Sequence, residues 1–297
     1  MGALMKILHI CAGWEKSNGA ANIARMVMEE QRGADHEVSS ATWSGIRNLR
    51  SADEVWIHCA WKPCLWWAAL WGKNVHWMPE ASYDPVRLRY HGWKKWLAGS
   101  IERFFLRRAD VVVATCQAEA EWIRKYEPRV KKIEVTDVKR FFNLNHEIHE
   151  THERGEVGSL HLLYLGRRHP LKGVEFLEEA VREVQRSGVG AQRTEDKGQR
   201  MTRRCELRIV SNAFGEEKER VWEWCDVLVL PTLSENFGLV VAEALERGKR
   251  VITTDGAPTW GDGNTYGGRL IYLKGYRHGT LDDRVSLLKS AIVQLLL

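Results

Sequence analysis

From Leu160 to Thr254 the chain repeats one pattern: a short apolar run, a turn, a segment of helical period, then another apolar run. The reading gives strands over Leu160–Leu165, Glu206–Val210, Val227–Leu230 and Arg250–Thr254, and helices over Val174–Gln185, Glu216–Trp224 and Gly238–Arg247. A last helix falls within Leu281–Leu297. Strands alternating with helices predict a parallel sheet covered by helices on both faces. The first half has the same alternation, with strands at Met5–Cys11, Glu37–Thr42, Glu54–Cys59, Asn74–Trp77 and Asp110–Cys116 and a helix at Ala20–Gln31. Between the halves, Asn143–Ser159 is polar, carries three His and has no period, so it reads as a linker. Ser187–Arg204, crowded with Gly and charge, reads as a mobile loop. A chain of 297 residues suits two domains of this kind, expected over 1–150 and 151–297.

Composition narrows the class. With 44% hydrophobic residues and a net charge of +5, the chain is neither disordered nor a disulfide-stapled miniprotein. Its six Cys form no CxxC pair and sit mostly in apolar runs, as reduced core cysteines do. The longest apolar stretch, Cys64–Trp71, has 8 residues, against the roughly 20 that span a bilayer. The first residues run from one Lys straight into a strand pattern without the apolar region of a signal peptide, so a cytoplasmic protein is expected. Between Val86 and Arg108 seven cations (Arg87, Arg89, Lys94, Lys95, Arg103, Arg107, Arg108) face one anion, Glu102. Trp93, Trp96, Phe104 and Phe105 interleave them. Cations mixed with large aromatics suit an anionic membrane surface, and the bland alternative is a helix with its aromatics inward and its cations solvated.

Two segments carry chemistry. In Val227–Asp255 a strand ends at Pro231, Ser234–Gly238 turns, and a helix starts near Leu239 and stops at Gly248. This places the backbone N–H groups of Phe237, Gly238 and Leu239 at a helix N-terminus, a setting that favours phosphate. Glu235 and Glu243 flank the turn, and a carboxylate accepts paired hydroxyl donors from a sugar or a ribose. In Leu162–Gly173 a strand ends at Gly166, and a loop bearing Arg167, Arg168 and Lys172 leads to a helix. Cations on such a loop suit a diphosphate.

Together these segments resemble the C-terminal domain of family 4 of the retaining glycosyltransferases, which have the GT-B fold. That family writes a Glu-x7-Glu motif as SENFGxxxxEAL after a strand ending in Pro, with an upstream G-R-x4-K-G loop. Here the two are Glu235/Glu243 and Gly166-Arg167-x4-Lys172-Gly173. Ile252–Trp260 looks like the strand and loop that follow the motif, and Pro79–Lys95 looks like an acceptor-side segment, P-[HR]-G-x-L-x-P. The resemblance implies two Rossmann-like domains facing each other across a cleft, the second one reduced. The first would bind the acceptor and the second a nucleotide-sugar donor. Arg167 and Lys172 would hold the donor diphosphate, Glu235 the sugar hydroxyls, Asn236–Leu239 sugar and phosphate through the backbone, and Glu243 the ribose. Glu235, Arg167 and Lys172 would be the catalytic set. Gly19 corresponds to the family's Gly-rich loop.

The implied reaction is glycosyl transfer with retention, to a glycan or a lipid-linked acceptor such as a lipopolysaccharide precursor, on the cytoplasmic side of a membrane. No Asp-x-Asp occurs and the His residues lack ligand spacing, so no metal and no cofactor beyond the nucleotide sugar is expected. His9 and His58 read as core or loop-edge residues. A Rossmann oxidoreductase is disfavoured, because no GxGxxG follows the first strand. A nucleic-acid partner is not expected, since a non-catalytic surface binder leaves Glu235 and Glu243 unexplained. A catalytically inactive nucleotide-binding or membrane-binding protein of the same fold stays open. This chain departs from the family in the charged Ser187–Arg204 loop, in stopping at Leu297, and in carrying Glu80 where relatives have His or Arg.

Overall fold

The apolar runs Val111–Ala114 and Val227–Leu230 are buried along their whole length, as strands covered on both faces must be. Burying one such Val or Leu stabilises the fold by about 1.5–3 kcal/mol. The structure, a computed structural model, describes residues 4–11, 14, 19–42, 48–90, 92–144, 159–188, 191–192, 201–202, 204–211 and 213–297. The chain divides into two compact units, Met1–Phe141 and Phe142–Leu297. Most of the Asn143–Ser159 linker lies outside the described residues, as does most of the Ser187–Arg204 loop.

The first unit runs β1 (Lys6–Cys11), α1 (Gly19–Gly33), β2 (Glu37–Ala41), β3 (Glu54–His58), α2 (Pro63–Trp71), β4 (Val75–Met78), α3 (Pro85–Tyr90), α4 (Gly92–Leu106), β5 (Val111–Ala114), α5 (Gln117–Tyr126) and β6 (Ile133–Val135). Its six strands are all parallel in the order β2-β1-β3-β4-β5-β6. The apolar run Cys64–Trp71 forms most of α2, where Pro63 opens the helix with its φ already set. Leu65, Ala68 and Ala69 of α2 pack inward, into a core that includes Val55, Ile57 and Trp77.

The second unit runs β7 (Leu160–Leu165), α6 (Val174–Ser187), a two-residue antiparallel pair of β8 (Ala191–Gln192) and β9 (Met201–Thr202), β10 (Cys205–Val210), α7 (Gly215–Trp224), β11 (Val227–Leu230), α8 (Leu239–Glu246), β12 (Arg250–Thr254), β13 (Leu270–Leu273) and α9 (Leu281–Leu296). Its main sheet has five parallel strands, β10-β7-β11-β12-β13. Val174, Leu177, Val181 and Val184, spaced three and four apart, give α6 one buried stripe. Thr280 and Asp283 close α9 with a reciprocal capping box. In both sheets the chain leaves the first strand in one direction and returns to its other side, so a crevice opens at the carboxyl ends between β1 and β3 and between β7 and β11.

Candidate functional site

The loops after β7 and β11 meet at the second crevice. Gly173 adopts the left-handed conformation, and a Cβ there would lie 2.2 Å from the Pro231 carbonyl oxygen. Only glycine lets the two chains approach this closely. Leu171 O accepts from Leu233 N at 2.8 Å and from Thr232 Oγ1 at 3.0 Å, which ties the loops in register. The loop after β12 braces the second of them: Glu235 N donates to Gly256 O at 2.8 Å, and Thr254 Oγ1 to Thr232 O at 2.5 Å. Tyr164, buried in β7, donates its hydroxyl to Arg167 O at 2.8 Å and holds the start of the basic loop.

The structure brings together two of the predicted residues directly. Lys172 Nζ is hydrogen-bonded to Glu235 Oε2, both side chains being mostly buried. Asn236 N lies 3.1 Å from Glu235 Oε1, and Asn236 O accepts from Thr259 Oγ1 at 3.4 Å. Phe237 is buried with its ring 5.2 Å from that of Trp260, whose indole N–H donates to Phe237 O. Gly238, left-handed at φ 75°, precedes α8, which no side chain caps. Val241 N, the third N–H of α8, donates to Gly238 O at 2.8 Å, and the positive end of the helix, starting at Leu239, favours an anion. Arg167 is exposed, with no hydrogen bond or ion pair of its guanidinium among the described residues.

Two features were not legible beforehand. Arg168, one of the three cations of the basic loop, is held by both oxygens of Glu178 at 2.5 and 3.4 Å. The Arg168 guanidinium lowers the pKa of Glu178, and Glu178 raises that of Arg168, so this cation belongs to an ion pair on α6, leaving Arg167 and Lys172. Glu243, within α8, sits 2.7 Å from Lys218 Nζ of α7. Each carboxylate of the motif is therefore faced by a lysine, and nothing in the sequence around Lys218 marks it as the second one. Gly19 is the exposed first residue of α1 in the first unit.

The crevice of the first unit holds a buried polar chain. His9 Nδ1 lies 2.9 Å from His58 Nε2, and His9 Nε2 lies 2.6 Å from Gln31 Oε1. Because Gln31 Oε1 can only accept, His9 Nε2 carries a proton, His9 Nδ1 accepts from His58 Nε2, and His58 Nδ1 is left as an acceptor. It faces Glu80 Oε1 at 3.5 Å. Burial lowers His9 and His58 to about 3, the neighbouring imidazole adding to the effect at His9. Burial, then the charge of Glu119, raises Glu80 well above the ordinary carboxylate value. Glu80 and Ala81 are both left-handed (φ 56° and 55°), as are Cys59 and Trp61 after β3 (φ 73° and 63°). Glu119 accepts from Ala81 N at 2.5 Å and from Thr115 N and Oγ1 at 2.7 Å, fixing the turn that carries Glu80. Among the described residues no group of His, Cys, Asp and Glu is arranged to hold a metal ion.

Residues 159–289 match the family description "Glycosyl transferases group 1", and residues 41–137 match "Glycosyl transferase 4-like domain". Among solved structures, sucrose-phosphate synthase from Thermosynechococcus elongatus is similar with a TM-score of 0.67 at 16% identity, over 98% of this chain and 90% of that one. WaaG, a glycosyltransferase involved in lipopolysaccharide biosynthesis, is similar with a TM-score of 0.59 at 12% identity, over 98% of this chain and 91% of that one. HepE from Anabaena, in complex with UDP and glucose, is similar with a TM-score of 0.57 at 13% identity, over 98% of this chain and 95% of that one. No curated protein sequence matches the chain.

Proposed function

The chain belongs to the group 1 glycosyltransferases and has their GT-B fold, and on that premise we propose that it moves a sugar from a nucleotide-diphosphate donor to a glycan or lipid-linked acceptor, with retention and without a metal ion. The observation that carries the donor half is the meeting of Lys172 and Glu235 where the strand order reverses between β7 and β11. A diphosphate seated there meets the Lys172 ammonium, the Arg167 guanidinium and the N-terminus of α8. Glu235 is left to accept from sugar hydroxyls and Glu243 from the ribose diol.

Departure of the diphosphate builds negative charge on the leaving oxygens while the sugar becomes oxocarbenium-like. Fixed cations and a helix N-terminus stabilise that charge without reorganising. The role of UDP as a donor carrier is drawn from HepE, and a lipopolysaccharide-type acceptor from WaaG. The first unit, with Glu80 at its crevice, is assigned to the acceptor. A cytoplasmic site of action at a membrane face follows from such an acceptor. Among the described residues no helix is long and apolar enough to cross a membrane.

The test is nucleotide release from a panel of UDP, GDP and ADP sugars, with and without EDTA, followed by the anomeric configuration of the product. Release unaffected by EDTA and a retained configuration support the reading. Stabilisation by nucleoside diphosphates without turnover of any donor instead supports an inactive protein of this fold.

A further inference from the structure

The outer faces of α2 and α4 carry large apolar side chains that nothing in the donor site uses. On α4, Leu97, Ile101 and Phe104 recur at four and three residues, so they line one stripe, and on α2 Trp67 and Trp71 recur at four. All five are between 44% and 59% exposed. The inward faces of the same helices explain why these residues point outward: Leu65, Ala68 and Ala69 of α2 and Glu102 and Leu106 of α4 are buried. The rings of Trp66 and Phe105 stack at 5.7 Å between the helices, which sets α2 and α4 side by side.

The exposed charge on the two helices themselves has one sign. Pro63–Trp71 contains no Asp, Glu, His, Lys or Arg, and within Gly92–Arg108 the one carboxylate is Glu102. It is turned inward, accepting from Trp61 N, Trp66 Nε1 and Tyr83 Oη. Cations border the apolar stripe: the Arg108 guanidinium lies 4.6 Å from the Phe104 ring centre and the Arg50 guanidinium 5.8 Å from that of Trp71. Lys62, Lys73 and Arg103 are exposed around them. The side chains of Trp93, Lys94 and Trp96, on which the sequence reading placed membrane contact, lie outside the described part of α4.

We propose that the α2–α4 face docks the protein on an anionic lipid bilayer, with Trp67, Trp71, Leu97, Ile101 and Phe104 entering the headgroup boundary and the bordering cations meeting lipid phosphates. Apolar side chains flanked by cations match an interface that is oily below and negative above. The proposal rests on the membrane-face reading given for the acceptor and deepens it by naming the surface.

Sedimentation with vesicles of phosphatidylglycerol and phosphatidylcholine, against pure phosphatidylcholine, is the experiment. The full chain is expected to sediment with the anionic vesicles, to release as salt rises, and to leave the neutral ones in the supernatant. A Leu97→Ser, Ile101→Ser, Phe104→Ser variant should bind about tenfold more weakly with an unchanged melting temperature, because exposed side chains contribute little to stability. Brominated lipid should quench wild-type tryptophan fluorescence more than that of a Trp67→Phe, Trp71→Phe variant. Absence of binding to anionic vesicles at low salt overturns the proposal, as does equal binding by the triple-Ser variant. A solution dimer that this variant converts to monomer also overturns it, by assigning the face to a second copy. Nucleotide release from soluble donors is unaffected by any of these outcomes, so the transferase reading stands or falls separately.

Discussion

Lys172 and Glu235, 63 residues apart in sequence, are hydrogen-bonded to each other, so the cation offered to the donor phosphate is already neutralised by the carboxylate offered to the donor sugar. A bound donor has to part them and give each a new partner. Lys172→Ala then removes the phosphate cation and also leaves Glu235 facing the diphosphate unpaired. Turnover is expected to fall about a hundredfold or more, as for loss of one oxyanion donor. Glu235→Ala frees the lysine and should cost less. The double variant should be less impaired than the two single losses combined, because the repulsion from an unpaired Glu235 is absent. Steady-state kinetics on the four proteins checks this; a strictly multiplicative double variant rules out the coupling, and unchanged turnover in Lys172→Ala removes the loop from the site.

Glu243→Ala addresses ribose rather than charge development. A contact present equally in ground and transition state changes KM and leaves kcat alone. The expected outcome is a donor KM raised about tenfold with kcat within about twofold. Lys218, which faces Glu243 at 2.7 Å, provides a control. If Glu243 serves only as its ion-pair partner, Lys218→Ala and Glu243→Ala will show matching losses of stability and no change in nucleoside diphosphate affinity by calorimetry.

The loops of the second unit were legible because their signals are local: a Pro that ends a strand, glycines that open turns, and fixed spacings between charges. What sequence could not supply is which loops meet. Lys172 reaches Glu235 because β10 pairs on the far side of β7 and leaves β11 as the other neighbour, a matter of strand order rather than of spacing. Arg168 shows the same limit at short range, since its capture by Glu178 depends on where the first helical turns of α6 place that carboxylate. In the first unit, the apolar runs around His9 and His58 point to core or loop-edge positions, but their contact follows from β1 pairing with β3 in a register that sets Cys11 beside His58. Glu80 joins them because the turn after β4 is held left-handed by Glu119.

Gly173 and Gly188 flank α6 with nearly the same dihedrals, φ 62° and 60°. They differ in space: a Cβ at Gly173 would sit 2.2 Å from Pro231 O, while one at Gly188 has nothing within 4 Å. Gly188→Ala should therefore cost only the backbone term of about 1 kcal/mol. Gly173→Ala must also push apart the two loops that carry Lys172 and Glu235. It should cost several times as much and lower donor affinity, whereas Gly188→Ala leaves binding intact. Urea denaturation with nucleotide titration compares them, and equal costs would mean that the Gly173–Pro231 approach does not constrain the site.

The buried chain Gln31, His9, His58 and Glu80 gives stability a pH dependence with two arms. His9 and His58 titrate near 6.5 when unfolded and near 3 when folded. The unfolded chain thus binds more protons below 6.5, and the stability these residues contribute, present above 6.5, is lost as pH falls toward 3. Glu80 has the opposite sign. Its folded pKa is raised well above 4.5, so the folded state holds the extra proton, and its contribution is present below 4.5 and lost as pH rises through the folded value. Burial of Glu80 itself is the largest cause and keeps the carboxyl neutral, with Glu119 adding to it and Arg87 opposing it. Glu80→Gln keeps the shape and supplies an amide donor to His58 Nδ1 without an ionisable proton. The alkaline arm should disappear in this variant while the acid arm remains. Relative to wild type, Glu80→Gln should therefore gain stability between pH 5 and pH 8 in urea denaturation. Parallel curves for the two proteins across that range would show that Glu80 is not held protonated beside His58.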